Sequence, residues 1–330
     1  MKSEFDVIPC VSVHPGRINI YNRIEYQGIK PRKNKADHLI NCDKHYHGKV
    51  SYQTRKKVSR GVEYLLFMAN DKHLPETAHG KSYKFKIAFI TLTLPSTQVH
   101  TDNEIKDKCL NQLLVELRQK HHVKNYIWRA EKQKNGNIHF HILVDKFIPW
   151  SELRDRWNRI TNKLGYVDRY RDEMRRFHSE GFKAREDLLK NWDYKSQVKA
   201  YQKGKANDWN SPNSTDIHSL YKINKVAQYI TKYCTKDEDT NVVEGRIWGS
   251  NFQLSDIKGA QFIADSQIKD EVNRLITLFN DQYYASDYFS IIHVPVHVLN
   301  ELHCDNLFLL FCSYMYETFD YNVQSALNTS

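Results

Sequence analysis

The sequence has no long hydrophobic run. Its most apolar stretch, residues 307–311, spans five positions, whereas a membrane-spanning helix needs about 20 consecutive apolar residues. The first residues, Met-Lys-Ser-Glu-Phe-Asp, lack the apolar centre of a secretory signal. We therefore expect neither a membrane span nor a signal peptide, and we expect residues 307–311 to belong to a folded core.

Cysteine is sparse and shows no metal-binding or redox spacing. The chain has six cysteines without a Cys-x-x-Cys pair or the rhythm of zinc ligands. Unpaired thiols are typical of a reducing compartment. We expect free thiols and a cytoplasmic protein; the cysteines stand at positions 10, 42, 109, 234, 304 and 312.

A phosphate-binding loop is also missing. The one candidate is Gly80-Lys81-Ser82, and Pro75 stands where such a loop requires glycine. The sequence therefore predicts no ATPase, and any step driven by ATP would need a separate protein.

Charge is abundant but unevenly distributed. The net charge of +10 arises from +20 over residues 1–236 and −10 over residues 237–330. A strongly basic region favours binding of a polyanion. The alternative is an ordinary solvated basic surface.

The order of the predicted elements indicates an α+β fold. Residues 85–94 form a strand ended by Pro95, and Thr101 or Asp102 caps a helix that follows. Two strands and a second helix come next, over residues 126–131, 138–144 and 151–164. This order predicts a ferredoxin-like or RRM-like split βαβ sandwich, in which helices cover one face of an antiparallel sheet.

We expect this sandwich to be the central domain of the chain. It would span residues 81–240, with an insertion at about 165–216. Residues 1–80 would form an N-terminal appendage, and residues 241–330 an acidic C-terminal region with extra helices.

The strand at 138–144 places two histidines on one face of the sheet. Side chains alternate along a strand, so His139 and His141 point the same way. Asn135-Gly136 predicts a tight hairpin that sets Glu131 directly across from His139, with Cβ atoms about 5 Å apart. Two imidazoles and a carboxylate make a divalent-metal site with mixed nitrogen and oxygen ligands. The alternative is a pair of hydrogen-bonded sheet histidines without a metal.

A second His-x-His pattern, His45-Tyr46-His47, lies in polar and basic sequence without an apolar strand. We interpret it as surface rather than as a metal site, because short motifs recur by chance in a histidine-rich chain.

The stretch 166–177 interleaves arginine with aromatic residues. Such a pattern suits single-stranded nucleic acid, because aromatic rings stack on bases and guanidinium groups pair with phosphates. A solvated strand edge is the alternative. The candidate nucleic-acid contacts are Arg129, Arg169, Arg171, Arg175 and Arg176.

Residues 217–236 have the periodicity of a helix, which Asp216 would cap. Two tyrosines four residues apart, each followed by a lysine three residues later, share one face of this helix within about 100°. Free tyrosine has a pKa near 10 and is a weak nucleophile at neutral pH, but a nearby ammonium group and a metal-polarised phosphate could compensate. The alternative is that these tyrosines pack in a core; the four residues are Tyr229, Lys232, Tyr233 and Lys236.

Three segments together resemble the sequence motifs of the HUH endonucleases. They are Phe89-Ile90-Thr91-Leu92-Thr93-Leu94-Pro95, His139-Phe140-His141, and Tyr229-Ile230-Thr231-Lys232-Tyr233-Cys234-Thr235-Lys236. The third segment is similar to that of the two-tyrosine rolling-circle replication initiators of small phages and plasmids. Gly245-Arg246-Ile247-Trp248-Gly249-Ser250 also resembles a segment of phage members.

The resemblance implies a role for each residue. Glu131, His139 and His141 would bind Mg²⁺ or Mn²⁺. Tyr229 and Tyr233 would become linked to the 5′ end of nicked DNA. Lys232 and Lys236 would help to place the phosphate or the metal.

The function implied by the resemblance is nicking of single-stranded DNA at a replication origin, followed by rejoining of the strand. A separate helicase and polymerase in a bacterial cytoplasm would do the remaining work. The alternatives are a two-tyrosine transposase and a non-catalytic nucleic-acid-binding module. The 87 residues between His141 and Tyr229 form a long interval for this pattern, which is why we expect an insertion there.

Overall fold

A computed structural model describes residues 5–26, 52–69, 72–74, 83–220 and 242–327. The strands are β1 (Phe5–His14), β2 (Arg17–Tyr26), β3 (Lys72–Leu74), β4 (Tyr83–Phe85), β5 (Ile87–Leu92), β6 (Tyr126–Lys132), β7 (Ile138–Val144), β8 (Thr215–Leu220), β9 (Trp248–Ser250), β10 (Ala260–Ile263), β11 (Tyr283–Ala285) and β12 (Phe289–Ile292).

The first helices are α1 (Tyr52–Met68) and α2, which consists of Asp102–Ile105, a π-helical turn over Lys106–Leu110, and Asn111–His121. The others are α3 (Trp150–Asn162), α4 (Tyr166–Phe177), α5 (Tyr194–Ala206), α6 (Phe252–Ser255), α7 (Ser266–Leu278), α8 (Val296–Glu301), α9 (Asp305–Phe319) and α10 (Val323–Leu327). Within the described residues, no helix is both long enough and apolar enough to cross a membrane.

The chain divides into two compact units. One comprises residues 46–58 and 72–251, and the other comprises residues 1–45, 59–71 and 252–330. Each contains an antiparallel five-stranded sheet with helices, so the predicted α+β class is confirmed. The predicted domain limits at residues 80 and 240 stay a prediction.

The sheet of the first unit has the strand order β8-β5-β7-β6-β9. Every neighbouring pair runs antiparallel. Strand β7, which carries both histidines, therefore lies at the centre of the sheet. Helices α2 and α3 supply the apolar side chains that cover one face.

Alternation along β7 explains which face is covered. Ile138, Phe140, Ile142 and Val144 are fully buried in the core shared with α2 and α3. The histidines between them are only partly buried. Each of these core side chains contributes about 1.5–3 kcal/mol through removal from water. The opposite face of the strand is thus left for chemistry.

The predicted elements of this core are present. Thr101 caps α2, because its side chain accepts a hydrogen bond from the Glu104 amide. The buried residues of α3 include the predicted Leu153, Trp157 and Ile160.

One predicted element is wrong in its described part. Residues 217–220 belong to strand β8, which pairs with β5, and Asp216 lies within that strand rather than capping a helix. The remainder of the predicted helix, residues 221–236, lies outside the described residues. The error arose because the apolar spacing of Ile217 and Leu220 fits a helix as well as a strand edge.

The inserted region contains two helices, α4 and α5, and the connection that leads to β8. Residues 166–177 are helical throughout, so the alternative of a strand edge is wrong. Gly165, with φ of +76°, precedes this helix in a conformation that favours glycine.

The second unit has the strand order β10-β1-β2-β12-β11. Helix α9 packs against β1 and β10. Leu307, Phe308 and Phe311 of α9 are buried, as the sequence predicts for residues 307–311. His14 and Tyr64 form a buried hydrogen bond of 3.2 Å in this unit.

Candidate metal centre

The β6–β7 hairpin brings three candidate ligands together. Glu131 pairs with His139 in the strand register, as predicted, and Arg129 pairs with His141. The loop is closed by a hydrogen bond of 2.8 Å from the Gln133 amide to the Asn137 carbonyl. Gly136 within the loop has φ of +83°, which a side chain would strain.

The three side chains converge on one point. Oε2 of Glu131 lies 3.4 Å from Nε2 of His139 and 3.7 Å from Nε2 of His141. All three ligand atoms lie within 4.8 Å of one another. The residues on neighbouring strands therefore present their donor atoms to a single small volume.

The neighbouring strand β5 orients His141. Thr91 is its partner in the strand register, and the Thr91 hydroxyl lies 3.1 Å from Nδ1 of His141. Phe89 stacks on the His141 ring at a centroid distance of 5.1 Å and an angle of 15°. The contact at Nδ1 leaves Nε2 to point toward Glu131, which is how partners of a metal-bound histidine fix its ring.

Glu131 is held as a carboxylate. Burial alone would raise its pKa, but hydrogen bonds with His139 and His141 and the charge of Arg129 hold the pKa well below the usual range. Arg129 Nε donates to Oε1 at 3.1 Å. That bond leaves Oε2, the oxygen nearest both imidazoles, directed toward the shared volume.

Arg129 itself is 2% exposed. Its guanidinium lies beneath the site and supports Glu131, so it has no exposed surface to offer to DNA. The sequence pattern did not reveal this because Arg129 shares its face of β6 with Glu131, and alternation alone does not say how far the face is covered.

The arrangement fits one divalent ion. Two donors bound to one ion at about 2.1 Å lie about 3.0 Å apart at 90° and about 3.4 Å apart at 109°. The measured 3.4 and 3.7 Å are close to these values. Nδ1 of His139 is buried and has no hydrogen-bond partner in the described part of the chain. The group Glu131, His139 and His141 can therefore hold a metal ion without rearrangement of the strands.

Asp216 and His218 were not singled out as site residues by the sequence. Asp216 pairs with Thr91 in the register, and His218 pairs with Phe89, so both lie on the same sheet face as His141. Their side chains are exposed and form an ion pair of 2.7 Å. The misassigned helix concealed this placement.

A polar network fixes the chain that leads to β9. Asp102 accepts hydrogen bonds from Lys132 at 2.6 Å and from the Glu244 amide at 3.0 Å. Lys106, whose pKa is lowered by burial, donates to the carbonyl oxygens of Glu244 and Arg246. These contacts anchor residues 244–246 on α2, beside the strand that carries Glu131.

The four arginines predicted on residues 166–177 lie on α4. Arg171 pairs with Asp168 at 3.0 Å, and Arg175 pairs with Asp208. Arg169 covers the ring of Tyr166 at 4.6 Å. Arg176 is exposed, and its Nε donates to the Asp172 carbonyl.

The predicted nucleophiles and their lysines lie outside the described residues. Tyr229, Lys232, Tyr233 and Lys236 fall between Leu220, where β8 ends, and Val242, where the described chain resumes. Strands β8 and β9 form the two edges of the same sheet. The segment that contains these four residues is thus bounded on both sides by the sheet of the metal centre.

Comparison with known proteins adds one finding. Residues 87–238 match a family model whose description is that of the replication-associated protein ORF2. The matched segment covers just under half of the chain, and it includes the β6–β7 hairpin and the two predicted tyrosines. This match is consistent with a replication-associated protein of the rolling-circle type. No curated protein matches the chain.

Proposed function

We propose that this protein is a replication initiator that nicks single-stranded DNA at an origin and later rejoins it. The observation that carries the proposal is the convergence of Glu131, His139 and His141 within a segment that matches a replication-associated family. It supports a rolling-circle mechanism of the HUH, two-tyrosine type.

The three ligands are assigned to a divalent cation, Mg²⁺ or Mn²⁺. Imidazole nitrogen suits transition ions and carboxylate oxygen suits Mg²⁺ and Mn²⁺, so the mixed set favours Mn²⁺. A cation bound there would polarise a non-bridging oxygen of the scissile phosphate. Arg129 and Thr91 act as positioning residues, because each orients a ligand through its second polar atom.

The nucleophile is assigned to Tyr229 or Tyr233. The phenolic oxygen loses its proton and forms a bond to phosphorus, and the bond from phosphorus to the 3′ oxygen breaks. That oxygen leaves as a hydroxyl after taking up a proton, and the protein keeps the 5′ phosphate as a phosphotyrosine. Rejoining reverses these bond changes, so the cycle needs no ATP. Lys232 and Lys236 would lower the pKa of the phenols and bind the phosphate.

DNA contacts are assigned to Arg169, Arg171, Arg175 and Arg176 on α4. Guanidinium groups pair with phosphates, and Arg176 is free of a carboxylate partner in the described residues. We further propose that the protein acts in a bacterial cytoplasm. A separate helicase and polymerase would work with it, since the sequence carries no phosphate-binding loop of its own.

The test is a covalent adduct. The wild-type protein is incubated with a 3′-labelled library of single-stranded origin sequences and Mn²⁺, and labelled protein is detected on a denaturing gel. We expect an adduct that disappears in the double variant Tyr229→Phe/Tyr233→Phe, while DNA binding is retained. Tyr288→Phe is the control, because Tyr288 is 85% exposed and belongs to the other unit.

Two results would refute the proposal. An adduct that persists in the double variant would remove the nucleophile assignment. Full nicking in the presence of EDTA would remove the role of the metal ligands.

A further inference from the structure

The inserted region contains a pocket that the proposed chemistry does not use. It lies between α4, the loop after α4, and α5, and has a volume of about 200 Å³. Seven of its twelve lining residues carry aromatic rings. We call this feature the aromatic pocket; its rings are those of Tyr170, Phe177, His178, Phe182, Trp192, Tyr201 and Trp209.

The rings of the aromatic pocket are arranged in near-parallel planes. His178 stacks with Trp209 at a centroid distance of 5.8 Å and an angle of 10°, and with Phe182 at 6.3 Å and 16°. Tyr201 lies 4.8 Å from the His178 ring. Parallel ring planes are the arrangement that adds a further flat ring by stacking.

The pocket is not a sealed core. None of its aromatic rings is fully buried, and Trp192 is 38% exposed. Close-packed protein interiors leave few voids larger than a water molecule. A cavity of this volume corresponds to about seven water molecules at their share of liquid volume. The pocket therefore has room for one planar heterocycle and an open route to it.

Trp209 is held in place at a conformational cost. Asp208 and Trp209 both have positive φ, of 53° and 52°, which is uncommon for a bulky residue. A Cβ atom on Gly204 would lie 2.4 Å from Nε1 of Trp209, so the indole rests on a position that only glycine allows. Arg175 fixes Asp208 with a hydrogen bond of 2.8 Å from its Nε. Such strain persists where the surrounding structure enforces it, often at a binding site.

The charge of the pocket is positive. Its lining includes Lys183 and Arg185 and contains no carboxylate. Nζ of Lys183 lies 5.4 Å from the Phe177 ring and has no ion pair with a described residue. Lys205 is exposed one helical turn after Tyr201, on the same face of α5. Flat rings with flanking cations suit a ligand that joins a planar base to phosphates.

We propose that the aromatic pocket binds one unpaired base of single-stranded DNA. Lys183 and Lys205 contact the phosphates on either side of that base. The identity of the nucleic acid rests on the proposed function, whereas the stacking site rests on the pocket alone. The base is held by residues of the insertion and not by the metal ligands, so the pocket recognises DNA beyond the scissile phosphate.

The experiment compares two oligonucleotides in the variant Tyr229→Phe/Tyr233→Phe with EDTA present. One is labelled dT12, and the other has the same backbone with abasic tetrahydrofuran residues. Fluorescence anisotropy gives the ratio of their affinities. Because stacking on an aromatic side chain changes affinity by about tenfold per base, we expect Trp209→Leu and Trp192→Leu each to lower this ratio about fivefold or more.

The matched control is Trp150→Leu, because Trp150 has 37% exposure and lies outside the pocket. It should leave the ratio unchanged. Lys183→Gln/Lys205→Gln should keep the ratio and lower the slope of log affinity against log salt by about 1.4, at about 0.7 for each phosphate contact.

An unchanged ratio in Trp192→Leu would overturn the proposal. If Trp209→Leu fails to fold by circular dichroism, Trp192→Leu alone decides, since its exposed side chain supports little packing. The outcome is independent of catalysis, because the double tyrosine variant cannot form an adduct. A protein that shows base-dependent binding without nicking would retain the pocket and lose the proposed function.

Discussion

At the scale of single residues, the contacts behind a ligand matter as much as the ligand. Glu131 and His141 each keep one polar atom toward the shared volume because the other is engaged, by Arg129 and by Thr91. The sequence predicted the three ligands from strand alternation and one hairpin. It could not predict Thr91 as the partner of His141, because that contact depends on the pairing of β5 with β7.

Thr91→Val should weaken metal binding while the ligands remain. The substitution keeps the shape of the side chain and removes the hydroxyl that orients His141. Loss of such a partner lowers metal affinity by about 10- to 100-fold. The measurement is a Mn²⁺ titration by calorimetry.

Thr93→Val is the matched control for that experiment, because the Thr93 hydroxyl donates to the Ser214 carbonyl instead. It should leave Mn²⁺ affinity unchanged. Equal affinities in all three proteins would contradict the positioning role of Thr91.

His14 predicts an acid-dependent loss of stability in the second unit. Burial, with the charges of Arg17 and Arg60, lowers its pKa from 6.5 to about 3. The unfolded chain therefore takes up a proton that the folded chain excludes, and stability is lost as pH falls from about 6.5 toward 3. At pH 5 the loss is about 2 kcal/mol.

The variant His14→Gln should flatten this part of the stability curve, measured by urea unfolding of both proteins between pH 7 and pH 4. His293→Gln serves as a control histidine in the same unit. Parallel curves for wild type and His14→Gln would show that His14 is protonated in the folded protein.

At the scale of elements, local signals were predicted and long-range pairing was not. The β6–β7 hairpin depends on residues 126–144 and on the turn at Asn135-Gly136, so its register followed from the sequence. Strand β8 pairs with β5, from which it is separated by more than a hundred residues, and its apolar spacing also fits a helix. Only the sheet edge decides between the two structures.

The element α5 offers a test of the packing at Gly204. Replacing glycine with alanine inside an exposed helix normally stabilises it by about 0.5–1 kcal/mol. Here the new Cβ would meet the Trp209 indole at 2.4 Å. Gly204→Ala should therefore destabilise the protein by about 1–3 kcal/mol, as overpacking does.

Thermal unfolding and the tryptophan emission spectrum measure this effect. A lower midpoint together with a changed emission would show that the indole has moved. A stabilised Gly204→Ala variant with unchanged emission would contradict the described seat of Trp209.

At the scale of the whole molecule, the two units differ in how the sequence announces them. Strands β1 and β2 pair with β10 and β12, although they stand at opposite ends of the chain. Composition alone showed the excess of positive charge before residue 236 and of negative charge after it. It could not show that terminal segments share a sheet, because that pairing leaves no local pattern.

The charge distribution predicts a salt-dependent interaction with DNA. Arg176→Gln removes an exposed guanidinium without a carboxylate partner in the described chain. It should lower the slope of log affinity against log salt by about 0.7 for single-stranded DNA. Binding of dT12 across a salt series measures this slope.

Lys269→Gln, on helix α7 of the other unit, is the control and should leave the slope unchanged. An identical slope in Arg176→Gln and wild type would remove Arg176 from the DNA contacts.

The central claim is that Glu131, His139 and His141 together bind one divalent ion. Electron paramagnetic resonance of Mn²⁺ tests it directly, by counting bound ions per chain in the wild type and in His141→Gln. The account predicts one tightly bound ion that is lost in His141→Gln while the circular dichroism spectrum is unchanged. Equal Mn²⁺ binding in both proteins would contradict it.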